Sequence, residues 1–293
     1  MKPDLLNDDK VIITAAITGG IHGKWANENI PISPEEQAQD ALDCYNAGAS
    51  VLHLHVRNEL GLNTPDIDVY NKAVRLIGEK CPIIRQIGNG IGAWADDKLN
   101  IISPTLEQRL NLLTIEPQPE MHTINAGTFE FRTKDGGIVF NNPQSFNMEY
   151  VKWCNEKGMG IEIEVYDSSH IMNALELVES GILKPPLHFS IVLGIMGGAP
   201  ATPSNLLHML DQLPEGSTWQ VVTIGRYQLK TTVIALCMGG NVRTGLEDNI
   251  YYRRGELVKS NAQLVERMVR IAREVGREPA TVDEAKKKLG LKK

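Results

Sequence analysis

Val11-Ile-Ile-Thr-Ala-Ala-Ile-Thr18, closed by Gly19-Gly20, is an apolar run that reads as a strand. After a polar loop, Ser33-Pro34-Glu35-Glu36 starts a helix, with a serine N-cap, a proline in the first turn and acids at the positive end of the dipole. That helix ends near Ala47-Gly48, and Ser50-Val-Leu-His-Leu-His-Val-Arg57 supplies the next strand. This strand–helix–strand unit sets the rhythm for the rest of the chain.

Further strands are expected at 82–87, 121–125, 161–166, 187–193, 219–224 and 241–246, with helical patterns at 69–79, 105–114, 145–157, 170–180, 204–213, 229–238 and about 259–275. Strict alternation implies parallel strands joined by right-handed crossovers. Eight units in 293 residues point to a (β/α)₈ TIM barrel, expected to be a single domain over residues 1–293. A dinucleotide-binding sheet would carry GxGxxG after its first strand, and Gly19-Gly20-Ile21-His22-Gly23 does not supply it. Glu130 to Phe140 reads as a hairpin turning at Asp135-Gly136-Gly137, inserted after the fourth strand on the face where barrels build active sites. Residues 277–293 add an amphipathic helical tail.

Apolar residues make up 42% of the chain, enough for a full core, and the net charge is −6. A mildly acidic chain whose lysines gather only at the tail (Lys286, Lys287, Lys288, Lys292, Lys293) is not built for nucleic acid. No stretch approaches the roughly 18 apolar residues of a membrane helix. The opening MKPDLLNDDK has neither a signal core nor an Arg-rich transit pattern, so a cytoplasmic protein is expected. Cys44, Cys81, Cys154 and Cys237 are scattered without a CxxC pair and are expected as reduced thiols. The long apolar helices and the extra tail suggest an even-numbered homo-oligomer.

The chemistry starts at His53-Leu54-His55. Positions i and i+2 of a strand share a face, so both imidazoles point one way near the strand's C-terminal end. Arg243-Thr-Gly-Leu-Glu247-Asp248 closes the last strand with two carboxylates. In a closed barrel the eighth, first and second strands are neighbours, so His53, His55 and Glu247 can converge on one ion. Two histidines and one carboxylate with open positions suit catalytic Zn²⁺ or non-haem Fe(II). Arg243 faces the interior and needs carboxylates, with Asp248 and Glu247 at hand. Gly88-Asn89-Gly90-Ile91-Gly92 offers backbone N–H groups, and Gly194 to Thr202 and Gly225-Arg226 occupy the usual phosphate region. Glu162 and Glu164 share one face of the fifth strand and are expected to meet the site or an arginine.

Thr14–Gly20, Ser33–Glu36, His53–Arg57, Pro119–Met121, His188–Gly194, Gly197-Gly-Ala-Pro-Ala-Thr202, Ser217–Trp219, Gly225-Arg226 and Val242-Arg-Thr-Gly-Leu-Glu-Asp-Asn249 resemble the β-keto acid cleavage enzymes, from about residue 10 to residue 291. The first described member of that family cleaves 3-keto-5-aminohexanoate. The resemblance implies a barrel with Zn²⁺ on His53, His55 and Glu247, and proton transfer by Asp248 with Arg243. It implies that a β-keto acid and acetyl-CoA exchange acyl groups, giving acetoacetate and a new acyl-CoA. Asn89, Thr123 and Asn125 stand where that family's substrate-lining residues are expected; Gly90, Glu164 and Ile21 are expected beside them against the substrate, and Gly197, Gly198 and Arg226, in the phosphate region, against the CoA.

Two departures bear on specificity. Ile21 stands where the amine-recognising member has a glutamate, and Asn89 stands where a substrate-contacting serine is expected. With Ile21, followed by His22 and Lys24, the distal end of the substrate is expected to be neutral or anionic. A zinc amidohydrolase barrel also uses HxH, but on its first strand, with further histidines in the region of His170 and His188. An inactive binding barrel is the other rival, and the intact His53, His55, Glu247 and Asp248 argue against it.

Overall fold

The computed structural model describes residues 9–95, 101–133 and 136–291. The elements are β1 (Ile13–Thr18), α1 (Pro34–Ala47), β2 (Val51–Leu54), α2 (Ile67–Lys80), β3 (Ile84–Ile87), α3 (Leu106–Asn111), β4 (Met121–Asn125), α4 (Gln144–Lys157), β5 (Gly160–Val165), α5 (Ser168–Glu179), β6 (His188–Leu193), α6 (Pro203–Leu210), β7 (Thr218–Thr223), α7 (Gln228–Cys237), β8 (Asn241–Thr244), α8 (Asn261–Glu274) and α9 (Val282–Leu289). Strands β1 to β8 form one closed parallel barrel in chain order, β8 pairing with β1. The (β/α)₈ TIM barrel expected from the alternation is the fold observed. No described helix is long and apolar enough to cross a membrane.

Local chemistry sets the helix starts. Ser33 and Glu36 form a reciprocal capping box on α1, with Pro34 in the first turn. Thr105 with Gln108 and Thr281 with Glu284 repeat that device on α3 and α9.

Some boundaries differ from the expected ones. β2 stops at Leu54 rather than Arg57, because its pairing with β1 slips between Ala16 and Thr18 and Arg57 bridges Asn63 instead. β3 starts at Ile84, since Pro82 has no N–H to give a ladder. β8 stops at Thr244 because Gly245 turns the chain at φ 153°, where a Cβ would strike the backbone of Ala16. Glu247 N then bonds Ala16 O at 3.1 Å, aiming the next two carboxylates back over the barrel.

The barrel interior is layered. Ile12, Val51, Ile84 and Met121 make an apolar floor, sealed from below by Ala285 and Leu289 of α9. Two residues at the N-terminal side, Lys10–Val11, pair in parallel with Glu278–Pro279 just before that helix. Above the floor lies a buried polar layer of Thr14, Gln86, Glu162, Ser190 and Gln220. The expected insertion is a hairpin of Phe129–Thr133 with Gly136–Phe140; Asp135 of its expected turn lies outside the described residues, as do Lys292 and Lys293 of the tail.

Candidate active site and metal centre

Above the polar layer, at the C-terminal ends of the strands, the hairpin and the loops after β1, β3 and β8 enclose a cavity of about 380 Å³. Glu164, Thr123 and Asn125 rise from β5 and β4 at one side. His53, His55 and Glu247 converge at the other. His53 Nε2 and His55 Nε2 are 3.2 Å apart, and Glu247 Oε1 is 3.6 Å and 3.7 Å from them. Among the described residues this is the group of ligand-type side chains that could hold one ion. Burial, then Arg243, then each site's further charges push both imidazoles down, His55 to about 3, which keeps them neutral with a lone pair to offer.

These residues fit a divalent ion. Glu247 Oε2 is buried and has no hydrogen-bond partner. A Cβ on Gly19 would strike the Glu247 side chain, and one on Gly88 would strike both imidazoles. Glycine at those two positions leaves the ligand groups their room.

Beside the cluster, Arg243 from β8 donates from Nε and Nη2 to the two Asp248 oxygens at 3.0 Å and 2.9 Å. The same Nη2 reaches Glu247 Oε1 at 2.7 Å, and Nη1 lies 3.5 Å from Glu164 Oε1. Burial pushes the Asp248 carboxyl up to about 6 against the pull of Arg243, and pushes Glu164 up to about 8. The expected Arg–Asp pair is therefore present, and Glu164 meets that arginine. Glu162 does not; its partners are Gln86, Gln220, Ser190 and His188.

The other expected contacts divide. Ile21, Gly90, Thr123, Asn125 and Glu164 line the cavity. Asn89 lies fully buried, its Oδ1 accepting from Asn125 Nδ2 at 2.7 Å and its backbone N donating to Thr123 Oγ1 at 3.3 Å. Gly197, Gly198 and Arg226 do not line it. Gly197 packs against the hairpin backbone at Glu130, and Arg226 turns onto the Tyr227 ring. Nor do the amidohydrolase histidines join the metal group: His170 packs beside Phe129 and Tyr166, and His188 sits in the polar layer by Glu162.

Sequence reasoning passed over three groups. Tyr166 donates to Asn125 Oδ1 at 2.7 Å from the end of β5. Arg109 of α3 is buried beneath Phe140 and Phe146 and donates to Asn89 O, Asn141 O and Asn142 Oδ1, which ties the hairpin to the β3 loop. An arginine in a helical pattern looks like a solvated one; only the absent i±4 acids around Arg109 set it apart. Gln86 is the third, a polar residue next to Arg85 in the strand Ile84-Arg85-Gln86-Ile87 and at even spacing from Gly88.

Comparison with known proteins identifies the family. The model of the family described as beta-keto acid cleavage enzyme matches residues 10–291. The chain is 42% identical to a 3-keto-5-aminohexanoate cleavage enzyme of Fusobacterium nucleatum, over 97% of this chain and 99% of that one. It is 33% identical to a 3-oxoadipate:acetyl-CoA acetyltransferase of Cupriavidus necator, over 96% of this chain and 94% of that one. Apo ObcA shares the fold at a TM-score of 0.75 and 18% identity, over 90% of this chain and 66% of its own. The chain belongs to the β-keto acid cleavage enzyme family.

Proposed function

We propose that this protein exchanges acyl groups between a β-keto acid and acetyl-CoA, releasing acetoacetate and a new acyl-CoA. The observation that carries this reading is the juxtaposition of a His53–His55–Glu247 ligand group with a buried Arg243–Asp248 pair in one cavity. A divalent ion held by the three ligands, Zn²⁺ in this reading, supplies Lewis acidity for the keto oxygen. Asp248 takes the proton from the carbon between keto and carboxyl groups, and Arg243 fixes the geometry of that base through its two-pronged contact. The enolate carbon attacks the thioester carbonyl of acetyl-CoA. The expelled CoA thiolate then attacks the substrate's own acyl carbon, the bond from that carbon to the α-carbon breaks in a retro-Claisen cleavage giving R–CO–SCoA, and Asp248 returns its proton to the released carbanion to give acetoacetate. Thr123 and Asn125 supply hydroxyl and amide contacts for the substrate, with Asn89 and Tyr166 holding the Asn125 amide in place. For the CoA, Gly197, Gly198 and Arg226 stay candidates at the rim after β6 and β7.

An uncharged distal end suits this cavity. Phe129, Tyr166, Val192 and Val222 form an apolar wall, extended by Phe131 and Phe140. Lys24 is held by Glu36 at 2.5 Å, and burial followed by Arg57 keeps His22 neutral, so neither offers a positive charge to a second carboxylate. The acids of the cavity are already engaged by Arg243. We read the protein as one cytoplasmic domain that works as a homo-oligomer.

The test is an acetyl-CoA-dependent assay for acetoacetate across keto acids of matched length ending in methyl, carboxylate or ammonium. Turnover is expected, highest for the methyl compound. No turnover with any of them, or turnover unaffected by omitting acetyl-CoA, overturns the proposed reaction; a charged compound with the highest kcat/KM overturns only the reading of the wall.

A further inference from the structure

The polar layer beneath the cavity bears directly on one of the metal-ligand candidates. His53 Nδ1 lies 2.8 Å from Gln86 Oε1, and Gln86 Nε2 lies 2.8 Å from Glu162 Oε2. The three side chains are 2%, 0% and 1% exposed, so water cannot substitute for any of these partners.

We infer that Glu162, acting through Gln86, locks the tautomer of His53 that leaves Nε2 bare for a metal ion. An imidazole that is neutral carries one N–H, on either nitrogen, and only the bare nitrogen can be a ligand. A glutamine between two partners can face either way, unless one partner accepts only. Glu162 is that partner. Its Oε1 accepts from Ser190 Oγ at 2.5 Å, and its Oε2 accepts from Gln220 Nε2 at 3.0 Å as well as from Gln86. Gln220 cannot turn round either, because its Oε1 would then face the Glu162 carboxylate; as it stands, that Oε1 accepts from Thr14 Oγ1 at 3.0 Å. Burial works against the charge on Glu162, but the contacts from His188, Ser190 and Gln86 outweigh it and hold the carboxyl at about 2.

The consequence runs outward in order. The carboxylate takes the Gln86 amide nitrogen. The amide oxygen therefore faces His53, and an oxygen of that kind only accepts. His53 must then carry its proton on Nδ1. Nε2 is left with its lone pair, facing His55 Nε2 and Glu247 Oε1 across 3.2 Å and 3.6 Å. His55 has no such device: its buried Nδ1 has no hydrogen-bond partner among the described residues. The two histidines are thus unequal, with His53 preset by the fold and His55 adjustable. Gln86 and Glu162 are positioning residues, since neither reaches the cavity.

This inference rests on the proposed metal site, and the test separates the two. Full-length protein stripped of metal and labelled with ¹⁵N at histidine reports the tautomer of His53 by NMR, with no ion present. Wild type is expected to show protonated Nδ1 and bare Nε2. Glu162→Gln, which can both donate and accept, should give a mixture of the two forms. Zn²⁺ affinity, measured by competition with a chromophoric chelator, should fall about 10- to 100-fold, the usual scale for loss of a ligand's outer partner. Gln86→Met, which removes the acceptor for Nδ1–H, should weaken Zn²⁺ to the same degree and give the same mixture of tautomers. A wild-type spectrum with the proton on Nε2, or unchanged affinity in both Glu162→Gln and Gln86→Met, overturns the lock. Wild type that shows the expected tautomer but binds no divalent ion overturns the metal reading and leaves the lock standing. Should Glu162→Gln not fold, the wild-type spectrum and Gln86→Met decide the matter.

Discussion

Gly88→Ala asks how much room the metal group needs. The added methyl would lie 2.5 Å from both Cε1 and Nε2 of His55, and 2.9 Å from Nε2 of His53. Atoms of these kinds meet at about 3.5 Å, so the His55 ring must retreat by about 1 Å. Metal–ligand distances tolerate a change of only about 0.2 Å. The ring is hemmed in by buried neighbours, so retreat takes Nε2 out of the ligand group rather than carrying the group with it. The expected result is a loss of Zn²⁺ affinity of about 100-fold or more, together with about 1–3 kcal/mol of destabilisation from overpacking. Gly90→Ala is the control: its methyl would stay 4.0 Å from His55 and meet only the Phe140 ring, at 3.2 Å. Chelator competition on both variants, with urea melts alongside, gives the comparison. Gly88→Ala binding Zn²⁺ as tightly as Gly90→Ala would refute the assignment of His55 to the ion.

Four further outcomes are expected. Asp248→Asn should keep its metal, as measured by elemental analysis, yet lose about 100-fold or more in kcat, the scale of a removed general base; His53→Ala should lose both metal and turnover. Asp40, raised from 3.8 to about 7 by burial despite its bond from Asn261, gives its folded-state advantage below pH 3.8 and loses it as the pH rises towards 7. Asp40→Asn should accordingly match wild type near pH 4 and exceed its stability by about 2 kcal/mol at pH 8 in urea melts, and an unchanged difference across that range would count against it. Light scattering at micromolar concentration should give an even-numbered homo-oligomer, and a monomer alone would refute that expectation.

The barrel was legible because parallel strands covered on both faces must be continuous apolar runs, and β1 and β6 are buried at every position. The metal group was legible for a different reason. His53 and His55 are local to one strand, and closure makes β8 the neighbour of β1, so local spacing and topology together suffice. What escaped depends on distance across the barrel. Gln86 and Glu162 come from β3 and β5, and neither has a local signal saying that the two side chains meet. Glu162 and Glu164 looked equivalent by parity, yet one layer's height sends the first to amides and the second to Arg243. Arg109 and the hairpin aromatics were hidden because loop and helix residues carry no register from which a contact can be read. In the loop after β6 a glycine has a second reason to be there: Gly197 must pass the Glu130 carbonyl, so its identity alone does not mark a phosphate contact.

The helix that closes the barrel floor also has a bearing on how the chain reaches its native state. Arg277 donates to the Lys10 carbonyl from 267 positions away, and Leu289 rests on Ile12. Contacts of such span carry a large loop-closure entropy and slow the search for the folded state. During synthesis, all eight strands emerge before α9 does, and until then Ile12, Val51, Ile84 and Met121 face an open port. Covering that apolar floor is therefore a late event in assembling the barrel, completed only when Ala285 and Leu289 of α9 seat against it.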